Sequence, residues 1–365
     1  YFKLSLLKKF MQTKDFIAPN FKHHFVGKKV TSSAPSNIAL VKYWGKYDQQ
    51  LPTNASISFT LNTCKTITEI HVEEKNTTED FNFQVYFEGK PKPDFKPKIE
   101  AFLKKIEVYS PFLKDYKFSI HTKNTFPHSS GIASSASGLA ALAKCIVDLE
   151  QSANQSQSAD YYKLKTSFLA RLGSGSACRS THGDLVVWGK HSSIPESSNL
   201  YGIEFPFEVH EKFKNFCDSI LLVDKGQKQV SSSVGHQLMH QHPFAEQRFK
   251  QANENLTQLT SVLQNGNYQD FFSLVETEAL SLHAMMMTSK PYFILMRPNT
   301  LQIIEAIWDF RNSTQTPLGF TLDAGANVHL LYPKSVESEV KSFIKNSLAS
   351  YCQNKEYIHD QVTID

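Results

Sequence analysis

The chain has 365 residues, 41% of them hydrophobic and 20% charged, with a formal net charge of +4. That is the composition of a globular protein with a real core, in one large domain or two lobes. No apolar run approaches the ~18 residues of a membrane span, and the thin basic excess suits anionic small molecules rather than nucleic acid, which needs a clustered basic face.

The start, "YFKLSLLKKFMQTKDF", has no continuous apolar core and no small-residue cleavage site, so it is a poor secretory signal. Residues 1–10 are treated as an uncertain extension, with Met11 a candidate start, and 1–30 as an N-terminal extension overall. "IALVKYWG" (38–45) and "SISFTL" (56–61) predict strands around a turn. Strict alternation would then put Lys42 and Trp44 on one side of the strand and Tyr43 on the other. "TEIHVEE" (68–74) and "FQVYFEG" (83–89) alternate with period two and predict a hairpin. "KPKIEAFLKKIEVYS" has helical spacing, and "YKFSIHTKN" (116–124) predicts a strand running into a loop of small residues.

That loop, "HSSGIASSASG" (128–138), is followed at once by Leu139, Leu142, Ile146 and Leu149, one apolar helical face. Small residues let backbone N–H groups approach an anion, and the helix that follows points its positive end at the same spot. Serine hydroxyls add donors and can contact a metal ion. The loop is neither of the familiar phosphate-binding glycine fingerprints, and alone it fits an N-cap and tight turn equally well.

A second helix ends at Gly173, in "TSFLARLGSGS", and runs into another small-residue bend, "GSGSACRS" (173–180). Its Arg179 offers a planar fork that suits a carboxylate; a surface arginine near a helix start is the alternative. "DLVVWG" and "SILLVD" predict buried strands, with a lobe boundary between 205 and 218. Residues 235–310 are mainly helical in pattern, with "HAMMM" (283–287) reading first as core filler. "FTLDAGANVHLLYP" (320–333) predicts strand, tight turn, strand, with Asp323 at the corner. A corner is a usual place for a catalytic group, although an Asx-turn accounts for a lone Asp-Ala-Gly as well. Strand and helix blocks segregate, so the class is α+β. The five cysteines are scattered and odd in number, which predicts free thiols in a reducing compartment.

Taken together, "APSNIALVKYWGK" with "LPTNASISFTL", "FPHSSGIASSASGLAALA", "ARLGSGSACRS" and "DAGAN" resemble the diphosphomevalonate decarboxylases, in order over residues 34–333. "KYWGK" and "GSGSACRS" are specific to that family; the loop at 127–138 is shared with the wider GHMP group of small-molecule kinases. The resemblance implies a two-lobed GHMP fold. Residues 31–210 would form an N-terminal, ATP-binding lobe like ribosomal protein S5 domain 2, and 211–365 the C-terminal GHMP lobe, with the active site between them. It implies ATP and Mg²⁺, and conversion of (R)-5-diphosphomevalonate to isopentenyl diphosphate, CO₂, ADP and phosphate by a cytoplasmic homodimer in isoprenoid synthesis.

By the same resemblance, Asp323 would take or orient the proton of the substrate's 3-hydroxyl. Lys42 would neutralise charge beside it, and Arg179 would grip the carboxylate. Gly131, Ser134, Ser135 and Ser137 would cradle the triphosphate, with Ser134 on Mg²⁺. Tyr43, Lys46, Ser174, Ser176 and Ser232 would hold the substrate.

One departure stands out. The family's Ser-Ser-Arg-x-Gly-Met stretch corresponds to "SSSVGHQLMHQHP" (231–243), so Ser233 stands where the arginine is expected and His236 where the methionine is. Losing a phosphate-binding arginine costs roughly 1.5–3 kcal/mol unless something replaces it; Lys225, Lys228, His236 and His240 are the nearby candidates. A substrate of smaller charge, the 5-monophosphate, is the alternative. So is a mevalonate-type kinase that does not decarboxylate, although Asp323, Lys42 and Arg179 together argue against it. A non-catalytic sensor would have little use for Asp323. The histidines of this stretch lack carboxylate or cysteine company at a metal-ligand spacing.

Overall fold

The computed structural model describes residues 11–21, 24–127, 134–226 and 232–364; the side chains of Ser134, Ser232 and Ser233 also fall outside the description. Gly131 and Lys228 therefore lie outside the described residues.

The first half is built around one long antiparallel pair. β1 (Lys29–Val41) runs against β4 (Ser56–Glu74), from Lys29 opposite His71 to Val41 opposite Ile57. A small hairpin, β2 (Lys46–Tyr47) with β3 (Leu51–Pro52), fills the connection. β5 (Asn82–Phe87), β6 (Lys90–Pro91), α1 (Lys96–Ile106) and β7 (Tyr116–Asn124) follow, then α2 (Ser134–Ala153), α3 (Ala159–Gly173), β8 (Leu185–Trp188) and β9 (Gly202–Glu204). The sheet order is β6-β5-β7-β4-β8-β9, with β1 on the other side of β4. On the edge of β4 away from β1, β8 pairs with its first four residues and β7 with its last nine.

Two expectations are corrected here. Residues 56–61 and 68–74 are parts of a single strand, β4. The expected hairpin of 68–74 with 83–89 does not form: β5 pairs in parallel with β7, which inserts between β5 and β4. The period-two pattern identified both strands but carried no information about partners. The apolar face of α2 packs on β1 and β4 as its spacing predicts, with Leu139, Leu142, Ile146 and Leu149 all buried.

The second half contains α4 (Glu211–Lys214), β10 (Asn215–Leu221), α5 (Ser232–Gln237), α6 (Ala245–Asn265), α7 (Tyr268–Met287), α8 (Pro298–Thr314), β11 (Gly319–Leu322), β12 (Val328–Pro333), α9 (Glu337–Phe343) and β13 (Tyr357–Thr363). Its antiparallel sheet has the order β11-β12-β10-β13. β11 and β12 flank the turn at 323–327, as the sequence pattern predicts.

The halves meet through β4. Ile57, Phe59 and Leu61 pack into one cluster with Phe216, Leu256, Leu259 and Phe271 of the second half. Asp360 of β13 accepts the backbone N–H groups of Thr63 and Cys64, at 2.9 and 2.7 Å. The opposite side chains of the same stretch, Ser56 and Ser58, face Arg179. All five cysteines are buried and unbridged. Among the described residues no helix is long and apolar enough to cross a membrane.

Candidate active site

β1 ends at Val41, so the expected alternation of Lys42, Tyr43 and Trp44 does not apply, and all three side chains are buried. The Lys42 N–H donates to Glu278 Oε2 (2.9 Å), and the Lys42 carbonyl accepts from Asn54 Nδ2 (2.9 Å). Glu278, on α7, also accepts from Arg248 and from Asn255. This buried ion pair locks the chain where β1 stops.

The Lys42 ammonium donates to the Ala39 carbonyl (2.7 Å) and to Asp323 Oδ1 (3.3 Å). Only 2% of Lys42 is exposed, against 30% of the Asp323 side chain. Burial lowers the Lys42 pKa, and the Asp323 and Glu278 carboxylates push it back up. Asp323 follows β11 directly. Its carbonyl accepts from Gly325 N–H (2.7 Å) and lies 3.1 Å from His283 Nε2 of α7. Burial takes His283 down to about 4, so its ring is neutral and donates at that contact. A core methionine, Met286, follows three residues on; Met287 is exposed.

Arg179 closes the 3₁₀ turn Gly175–Ser180. The turn needs glycine at 175: a Cβ there would sit 2.8 Å from the Tyr43 hydroxyl and from the Trp188 ring. Asn37 of β1 ties the turn down, donating to Ser180 Oγ (2.7 Å) and to the Ser176 carbonyl (3.2 Å). Arg179 is itself buried. Its Nε donates to Ser58 Oγ (2.5 Å) and its Nη1 to Ser56 Oγ (2.6 Å), with the guanidinium 5.8 Å from the Trp188 ring centre. These partners are neutral, and burial lowers the Arg179 pKa.

Lys42, Tyr43, Lys46, Ser135, Ser174, Ser176, Arg179 and Asp323 all line one cleft. The Tyr43 hydroxyl there is buried without a hydrogen-bond partner among the described residues, and burial raises its pKa. An apolar pocket lined by Phe87, Phe95, Ile99, Ile120 and Leu142 among others shares Ser135 with the cleft. Ser137 departs from the expected set. It is fully buried on α2, with its hydroxyl 2.7 Å from Thr66 Oγ1 of β4, and does not line the cleft.

His236, Asn37, Gln50 and Leu282 line the cleft as well. Of these, only His236 is singled out by the sequence. The Glu278–Arg248 pair was also missed; its signal was the pair of glutamates, Glu276 and Glu278, within the largely apolar helical run "FFSLVETEAL".

Two domain families match the chain. The diphosphomevalonate decarboxylase-like N-terminal domain covers residues 34–199, and the mevalonate 5-diphosphate decarboxylase C-terminal domain covers 219–364. A diphosphomevalonate decarboxylase from Debaryomyces hansenii is 30% identical over 334 residues, 86% of this chain and 82% of the relative. The crystal structure of mevalonate diphosphate decarboxylase from Staphylococcus aureus superposes with a TM-score of 0.79 at 27% identity, over 92% of this chain and 96% of that one. A structure described as MDDEF in complex with MVAPP, AMPPCP and magnesium gives 0.77 at 26% identity, over 92% and 97%.

Proposed function

Since this chain belongs to the diphosphomevalonate decarboxylase family, we propose that it converts (R)-5-diphosphomevalonate and ATP to isopentenyl diphosphate, CO₂, ADP and phosphate. One observation carries the reading: the Lys42–Asp323 pair and a buried arginine with no carboxylate partner among the described residues share a single cleft.

The substrate's 3-hydroxyl is tertiary and a poor leaving group, so it is first phosphorylated. Asp323 accepts its proton as the oxygen takes the terminal phosphoryl group of ATP. Lys42, 3.3 Å from Asp323, offsets negative charge there and on the transferring group. Phosphate then leaves C3. The bond to the carboxylate breaks, its electron pair becomes the new double bond, and CO₂ departs. Arg179 holds that carboxylate in line, and its neutral partners Ser56 and Ser58 leave its charge for the ligand. Ser174, Ser176, Tyr43, Lys46 and Ser232 bind the rest of the acid. Positioning and electrostatics carry such a reaction.

The apolar pocket beside Ser135 would take the nucleoside, with the triphosphate reaching the cleft past Ser135 at the N-terminal end of α2. By the family resemblance Ser134 would hold the magnesium ion, which when bound supplies neutralising charge for the triphosphate. We also read residues 31–210 and 211–365 as the two lobes, and the protein as a cytoplasmic homodimer.

The test follows ADP and CO₂ together, with mevalonate 5-diphosphate and 5-monophosphate supplied in turn. Equal yields of both products from the diphosphate are expected. ADP without CO₂ would make the protein a kinase, and faster turnover of the monophosphate would reassign the substrate.

A further inference from the structure

His236 sits in α5 with its ring tilted against those of Tyr43 and Trp44, at centroid distances of 4.2 and 4.8 Å. It is 7% exposed, and it lines the cleft alongside Lys46 and Arg179. Its Nδ1 accepts the Gly45 N–H at 2.9 Å. Gly45 can aim that N–H because its φ is +102°, a conformation that a side chain would oppose; a Cβ there would also meet Thr53 and Phe249. An imidazole that accepts at Nδ1 carries its proton at Nε2 when neutral. The ring is neutral, because burial with Lys46 and Arg179 nearby brings it down to about 3. A fixed N–H donor thus belongs to the cleft wall without adding a third cation beside two others.

We infer that His236 binds the phosphate end of the substrate through Nε2–H, supplying a hydrogen bond where this chain has Ser233 in place of the family's arginine. Two other replacement candidates are unsuited. Lys225 is engaged by Glu356, and His240 is exposed and does not line the cleft. Lys228 lies outside the described residues. Gly235 seats α5 for this role: a Cβ on it would lie 2.4 Å from the Trp44 ring, so only glycine lets His236 approach so closely.

The inference rests on the reaction proposed above for the identity of the anion, and the full-length protein can separate the two. His236→Met removes the donor and keeps an apolar side chain; His236→Gln restores an N–H near the position of Nε2. For His236→Met we expect the KM for the phosphorylated mevalonate, and its Kd measured by calorimetry without ATP, to rise about tenfold or more. kcat and the KM for ATP should move less than about threefold. His236→Gln should recover most of the loss. A His236→Met enzyme that binds as tightly as the parent overturns the inference, as does a His236→Gln enzyme impaired as much as His236→Met. If the variants fail to fold, the ¹⁵N signals of the His236 ring in the parent protein decide. Added inorganic pyrophosphate should shift Nε2–H, and an unmoved ring at saturation overturns the contact. A parent protein that releases no CO₂ from either phosphorylated mevalonate defeats the reaction reading, while the pyrophosphate titration still tests His236.

Discussion

Two buried cations face the same cleft and are treated oppositely by the fold. Lys42, where β1 stops, has its counter-charge within the protein, in Asp323 at 3.3 Å and in Glu278 behind its backbone. Arg179, in the turn after α3, is held by two serine hydroxyls and an aromatic ring. A buried charge is costly unless paired. The difference therefore separates a cation that serves a protein carboxylate from one that, under the proposed reaction, meets its partner in the ligand.

The sharpest way to break this division is Asp323→Asn. It leaves Lys42 without its partner and removes the proton acceptor. Turnover should fall by about 10²–10⁴-fold, while ATP affinity, measured by equilibrium dialysis, stays near that of the parent. Near-normal turnover would take Asp323 out of the mechanism. Next in size is Arg179→Met. An unpaired buried cation replaced by an apolar chain should leave unfolding stability unchanged or raised by about 1–4 kcal/mol, whereas the KM of the acid substrate should rise about 10–100-fold. The substrate should raise the melting temperature of the parent and barely move that of the variant. A variant that is both unstable and fully responsive to substrate would mean that Arg179 is a structural residue.

The smallest expected effect on turnover belongs to Glu278→Gln, which acts on Lys42 from behind. Leaving Arg248 buried without its partner should cost about 3–5 kcal/mol of stability. The catalytic signature is in the alkaline limb of the pH–rate profile. Glu278 raises the Lys42 pKa, so removing its charge lowers that pKa further. Lys42 then loses its proton at a lower pH, and activity must begin to fall at lower pH than in the parent. A limb that stays in place would show that Lys42 does not set it.

Much of this cleft was legible in the chain because its parts are local. "KYWGK", "GSGSACRS" and "DAGAN" each specify a strand end or bend within a few residues, and the fold brings Lys42, Arg179 and Asp323 to one wall. What depends on distant partners was not legible. β4 reads as two strands because its first six residues are buried on both faces while the rest alternate, so the pattern changes without any break in the chain. The parallel pairing of β5 with β7 is set by tertiary contact. Glu278 looks like an ordinary helical glutamate until Arg248, 30 residues away on α6, meets it. The contact of Ser137 with Thr66 of β4 likewise joins residues 71 apart in the chain.

The double burial of β4 also bears on how the chain is made. Ile57, Phe59 and Leu61 leave the ribosome early, but the residues that cover them, Leu256, Leu259 and Phe271 among them, are translated about 200 residues later. At roughly 5–20 residues per second that interval lasts on the order of ten seconds or more. Throughout it the nascent first half presents an uncovered apolar strip, so release of fragments truncated near residue 210 should yield aggregates rather than a separable lobe.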